Sequence, residues 1–121
     1  MFEKWLPNLV FLFFIFTFKL ISLDPPSQLI ILDIDEGKNE IAKNDSLLFL
    51  HYRGWVFDKK KKVTNFCDAK GKMFDSTLDE GFRKNPGTNE SLFSFRLGKK
   101  MVIPGWEIGI KDMKVGGKRC L

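Results

Sequence analysis

His51, Cys67 and Cys120 are the side chains of this 121-residue chain best suited to act as base, nucleophile or metal ligand. They do not add up to a catalytic group. His51 is the single histidine, and the two cysteines show neither a CxxC spacing nor a cluster with it, so no zinc or dithiol motif is written here. No G-x-S-x-G accompanies the histidine, and nothing nearby reads as an activated nucleophile. A half-exposed strand histidine is the better reading. The cysteines would bridge only in an oxidising compartment and with suitable geometry; unpaired thiols are the default expectation. What remains is an apolar face. Phe93, Phe95 and Leu97 alternate with Ser94 and Arg96, the period of a half-buried strand. Ile103, Trp106, Ile110 and Met113 then recur at three- and four-residue steps, the stripe of one short helix. Pro104 suits its first turn, and Gly116 and Gly117 let the chain leave it. Strand, helix and outgoing strand pack one aromatic-rich face around Trp106.

Other elements must bring partners to that face. Residues 46–57 read as one long strand with Leu48, Leu50 and Tyr52 on one side and Phe49, His51, Arg53 and Trp55 on the other, which turns Tyr52 inward. Leu29 to Ile34 reads as a strand closed by the turn Asp35-Glu36-Gly37, and residues 38–45 as polar and turn-like. Asp58 to Lys72 is a hydrophilic insertion, after which Met73-Phe74-Asp75-Ser76 resumes an extended segment. Asn85-Pro86-Gly87 marks a turn inside a second polar stretch.

Length allows one domain. The formal net charge is +5, but the basic residues form no single stripe. Lys59 to Lys62 is their one run and falls in a predicted loop, so a solvated loop is preferred over a binding patch, for nucleic acid or otherwise. Residues 1–23 hold an apolar core from Leu9 to Phe18 behind Lys4. That core has the length of a secretory signal peptide and is short for a membrane span. Export through a secretory signal is preferred over a retained N-terminal anchor that would contact the membrane, although no A-x-A-like cleavage site follows; both readings place the domain outside the cytoplasm, in a periplasm, cell envelope or secretory lumen. Two consecutive prolines make 24–28 a linker, and the domain runs over 29–121.

Three blocks then carry a resemblance. His51-Tyr52-Arg53-Gly54-Trp55, Met73-Phe74-Asp75-Ser76-Thr77, and Val102-Ile103-Pro104-Gly105-Trp106-Glu107 followed by Gly109-Ile110, Met113, Val115-Gly116 and Lys118-Arg119 stand in that order. Together they resemble the FKBP-type peptidyl-prolyl cis–trans isomerases. The resemblance implies an α+β fold, a twisted antiparallel sheet wrapping one short helix. It implies that Trp106 floors a pocket for a proline ring, that Tyr52, Phe74, Phe93, Val102 and Ile103 line it, and that Asp75 sits at its rim near the isomerising carbonyl. The Ile103 N–H would be a free donor at the helix start, whereas Phe95 and Leu97 belong to the core. His51 would be structural. Proline-containing chains would be the substrates and macrolides the inhibitors, with no cofactor or metal required.

The match has departures. Glu80 stands where the family usually carries a basic partner for Asp75, and Arg83 is the alternative candidate. The family's flap loop, further pocket walls and final strand would follow Leu121, so the chain as given is expected to be an incomplete domain, unstable and weakly active by itself. A cooperative chemical denaturation of several kcal/mol would contradict that expectation. Exported, folding proteins are the expected clients. A non-catalytic, peptide-holding chaperone module with the same fold is the second reading.

Overall fold

The computed structural model describes residues 27–82, 85 and 87–121. The expected leader at 1–23, most of the linker at 24–28, and Arg83 lie outside the described residues. Among the described residues, eight strands and one α-helix follow one another. They are β1 (Leu32–Asp35), β2 (Lys38–Ile41), β3 (Leu47–Leu50), β4 (Arg53–Phe57), β5 (Lys70–Ser76), β6 (Phe93–Arg96), α1 (Pro104–Gly109), β7 (Lys114–Val115) and β8 (Lys118–Cys120). The strands pair as β1–β8, β2–β7, β3–β6 and β4–β5, each antiparallel. No helix among the described residues is long and apolar enough to cross a membrane.

The alternation of β6 is realised as expected. Opposite residues of an antiparallel pair share a face, so β3 and β6 pair Leu48 with Phe95 and Leu50 with Phe93. Phe95 and Leu97 retain 2% and 0% of their exposure, and each such burial stabilises the fold by about 2 kcal/mol. Ala42 and Ile110 complete the buried centre, with Leu48, Leu50, Phe93, Val102, Trp106 and Met113 packed around it. The helical stripe is only partly realised. Trp106, Ile110 and Met113 face this core, but Ile103 is two-thirds exposed, and α1 ends at Gly109, before Ile110 and Met113.

Three segments depart from the sequence reading. Residues 38–45 are not all turn, because β2 forms within them against β7. Its four residues are exposed and carry no apolar alternation. Backbone bonds flanking it supply the register, Ala42 N–H to Met113 O (2.7 Å) and Asp112 N–H to Ala42 O (2.8 Å). The first strand is shifted to Leu32–Asp35, where β8 meets it. Gly37 (φ +68°) follows, and a Cβ there would lie 2.5 Å from the Gly117 nitrogen; only glycine fits that close, left-handed crossing.

The long strand over 46–57 is two strands. It breaks at His51 and Tyr52 because Thr77 takes over the pairing. The Thr77 hydroxyl oxygen accepts from Tyr52 N–H at 2.9 Å, while Thr77 N–H donates to Tyr52 O at 3.0 Å. The chain therefore changes partner from β6 to β5 at the residue that must turn inward.

The thiols are not free. Cys67 and Cys120 are disulfide-bonded with their Cα atoms 6.1 Å apart, which overturns the default expectation of unpaired cysteines. Sequence spacing carried no pairing signal; the folded chain brings the β4–β5 insertion against β8. The bridge spans 53 residues, and closing a loop of that length removes unfolded-state entropy worth about 4 kcal/mol. Cys67→Ser is accordingly expected to lower the urea midpoint of the oxidised protein by an amount equivalent to about 4 kcal/mol, and reductant should lower the wild-type midpoint to match while leaving the variant's unchanged.

Candidate functional site

Tyr52, Phe93 and Trp106 are distant in the chain and adjacent in the fold. Strand β6 presents Phe93, the break before β4 presents Tyr52, and the first turn of α1 presents Trp106. The indole lies 5.0 Å from the Tyr52 ring and 5.6 Å from the Phe93 ring, at interplanar angles of 76° and 85°. Tyr52 and Phe93 stand 5.8 Å apart at 81°. Such edge-to-face geometry sets ring edges against the opposing π-faces, which aromatic quadrupoles favour. Phe95 backs the indole at 6.2 Å. Trp106 is half-buried, with Phe95 and the core on one side.

Asp75 borders this cluster. The Tyr52 hydroxyl donates to Asp75 Oδ2, and Ser76 N–H donates to Oδ1 at 2.8 Å. The carboxylate is thus oriented by the Tyr52 hydroxyl and by its own strand. Glu80 is exposed. Nearby, Arg53 Nε donates to Asp79 Oδ2 at 2.6 Å. That bond, joined by the Ser76 hydroxyl, holds the Asp79 carboxyl below its ordinary range, so the cation closest in sequence to Tyr52 serves Asp79.

Phe74 and Ile103 are placed differently from Tyr52 and Phe93. Phe74 is 62% exposed, its ring lying where a side chain on Gly54 would stand. Ile103 is 66% exposed and caps α1 in an extended conformation (φ −60°, ψ 149°). Its carbonyl accepts from Trp106 and Glu107, while its own N–H precedes the first helical turn, where no intrahelical acceptor exists. Val102 is half-buried against the core. The structure therefore brings Tyr52, Phe93 and Trp106 together and leaves Phe74 and Ile103 exposed.

Two positioning residues stand in the resemblance blocks without an individual role assigned to them. Thr77 is fully buried, with its hydroxyl 3.0 Å from His51 Nδ1 and its carbonyl accepting from Gly87 N–H and the Ser91 hydroxyl, each at 3.0 Å. It ties the second polar loop and His51 to Tyr52, and His51 is structural in that sense. Glu107 reaches back from α1, accepting Gly98 N–H on Oε2 at 2.6 Å and Met101 N–H on Oε1 at 3.2 Å. The turn that delivers Val102 and Ile103 is thereby fastened to the helix that carries Trp106. A glutamate at the fourth position of a short helix that follows a Gly-Lys-Lys turn is the signal that could have exposed it. Charge-assisted bonds of this kind contribute about 1–2 kcal/mol each. Glu107→Ala should raise hydrogen exchange at the Gly98 and Met101 amides by roughly tenfold, read by NMR, with the β3–β6 amides little changed.

A separate groove lined by Asp33, Glu36, Asp112, Lys114 and Arg119 is wholly polar. Arg119 closes it, reaching Asp33 at 2.5 Å and the carbonyls of Gly109 and Lys111 at 2.8 and 3.0 Å. It locks the end of α1 and carries no aromatic residue.

Comparison with known proteins agrees with this geometry. The chain is 39% identical over 87 residues to a 46 kDa FK506-binding nuclear protein of Spodoptera frugiperda, covering 72% of this chain and 16% of that protein. It is 33% identical over 98 residues to an FK506-binding protein of Streptomyces anulatus, covering 81% and 63% respectively. An FK506-binding protein of Neisseria meningitidis serogroup A is 37% identical over 94 residues, covering 78% and 67%. The chain thus spans less than two thirds of the length of the first two of these relatives. No solved structure matches it significantly. Residues 38–121 match the family described as FKBP-type peptidyl-prolyl cis-trans isomerase, and this chain belongs to that family.

Proposed function

We propose that the chain accelerates cis–trans rotation about X-Pro bonds in folding proteins, using a water-excluding aromatic pocket and no covalent intermediate. The observation that carries this is the indole of Trp106 held edge-on by Tyr52 and Phe93 beside the oriented Asp75 carboxylate.

Rotation about a prolyl amide is opposed by a barrier of about 18–20 kcal/mol and takes roughly tens to hundreds of seconds unaided. The twisted state has lost amide resonance and carries less charge separation than either planar form. An apolar pocket therefore favours it over both planar states, which is differential binding. A thousandfold acceleration requires only about 4 kcal/mol of that preference. Trp106 would floor the proline ring, with Tyr52, Phe74, Phe93, Val102 and Ile103 as walls. The Ile103 N–H would donate to a substrate carbonyl, and Asp75 would face the rotating one. Macrolides would compete for the same surface.

Exported clients and a home in a periplasm, envelope or secretory lumen remain part of the proposal. The apolar segment at 9–18 and the Cys67–Cys120 bridge support an oxidising compartment. The second reading, a peptide-holding module without useful turnover, is favoured by the exposure of Phe74, Met101, Ile103 and Ile108, which offers apolar surface to an unfolded chain.

An X-Pro tetrapeptide assay with and without a macrolide separates them. Turnover that the macrolide suppresses is expected, as is a loss of at least tenfold in macrolide affinity for Trp106→Ala; unchanged binding would remove Trp106 from the pocket. Suppressed aggregation of an unfolded protein with unaltered X-Pro exchange would favour the holding module.

A further inference from the structure

We propose that the lysine-rich β4–β5 hairpin is a docking patch that selects X-Pro segments flanked by acidic residues. The inference rests on the isomerase or peptide-holding reading of the Trp106 site and adds the class of peptide it takes. Between Asp58 and Lys72 six lysines stand against two aspartates, a net of +4. Lys59, Lys60, Lys61, Lys62, Lys70 and Lys72 are all exposed. Among the described residues, Lys60, Lys61, Lys62, Lys70 and Lys72 enter no ion pair. Lys70 instead lies over the Trp55 ring, 4.6 Å from its centroid, which holds the ammonium in place without cancelling its charge.

The patch leads into the site along one strand. Strand β5 begins at Lys70 and carries Lys72, Phe74 and Asp75 in succession. Two residues of strand advance about 7 Å, so Lys72 stands within one Debye length, ~10 Å at 0.1 M salt, of Phe74. The carboxylates around this path are already engaged. Asp58 accepts Lys60 N–H, Asp68 accepts the Asn65 amide, Asp75 accepts from Tyr52, and Asp79 is paired with Arg53; Glu80 is the exposed opposing charge beyond them. A peptide seated on Trp106 and Phe74 would extend its flanking residues over these ammonium groups. Every basic residue of 58–72 is lysine, a point charge without the planar fork that arginine offers to phosphate. That composition favours peptide carboxylates over nucleic acid.

The test uses the oxidised full chain and three labelled peptides that share one X-Pro core and differ in flanks of Glu-Glu, Gln-Gln or Lys-Lys. Both kcat/KM and Kd by fluorescence anisotropy are measured at low salt and at about 0.5 M salt. At low salt the Glu-flanked peptide is expected to exceed the Gln-flanked one by about fivefold, with the Lys-flanked peptide weakest, and the ratio should approach one at high salt. The combined Lys60→Gln, Lys61→Gln, Lys62→Gln and Lys72→Gln variant should lose the preference, and the corresponding arginine variant should keep it. Equal affinities for all three flanks in the wild type would overturn the proposal, even with turnover intact. Absent turnover with retained acidic preference in Kd would overturn the isomerase reading alone. An RNA oligomer or anionic vesicle that binds the lysines while the peptides show no flank preference would assign the patch to a polyanion and end the proposal.

Discussion

The meeting of the Trp106 indole with the edges of Tyr52 and Phe93 is the contact on which the remainder of the fold converges. Each aromatic pair contributes only about 1 kcal/mol beyond its buried area. Its importance lies in what it joins. Tyr52 sits at a strand break, Phe93 opens β6, and Trp106 lies in the first turn of α1. The half-buried indole is backed by Phe95 and the core. Remove the ring, and three segments lose their common surface together.

Aromatic packing does not by itself hold backbones in register, and polar groups do that here. Thr77 satisfies both backbone groups of Tyr52, and Glu107 satisfies two amides of the turn before α1. The Thr77 bonds matter because a half-buried backbone group without a partner costs more than the bond is worth when made, whereas the Glu107 bonds pin an exposed turn. The same economy places Asp75. Its oxygens accept from the Tyr52 hydroxyl and from Ser76 N–H, which fix the carboxylate's orientation beside the aromatic cluster. The cluster is thus aromatic at its centre and hydrogen-bonded at its margin.

Much of this was legible in the residues. Alternation gave Phe95 and Leu97 as core, and the three- and four-residue spacing brought Trp106, Ile110 and Met113 to one side. The meeting of Tyr52, Phe93 and Trp106 was read from resemblance, and the structure brings them into contact. What was not legible was non-local. Strand β2 carries no apolar period and exists because β7 and Ala42 offer partners. The break at Tyr52 depends on a threonine twenty-five residues away. The Cys67–Cys120 bond depends on β8 returning beside the insertion. Ile103 kept the helical spacing yet points outward, because it caps the helix and its backbone is extended. Periodicity reports which face a residue shares with its neighbours, not where the element ends.

The bridge has a consequence of a different kind. Two cysteines within these 121 residues permit a single intramolecular pairing, where six would permit fifteen. Oxidation therefore has one monomeric product and no scrambled isomers to sort. Maturation of this segment calls for an electron acceptor and no reshuffling catalyst, so its mobility on a non-reducing gel records whether the chain has met an oxidant.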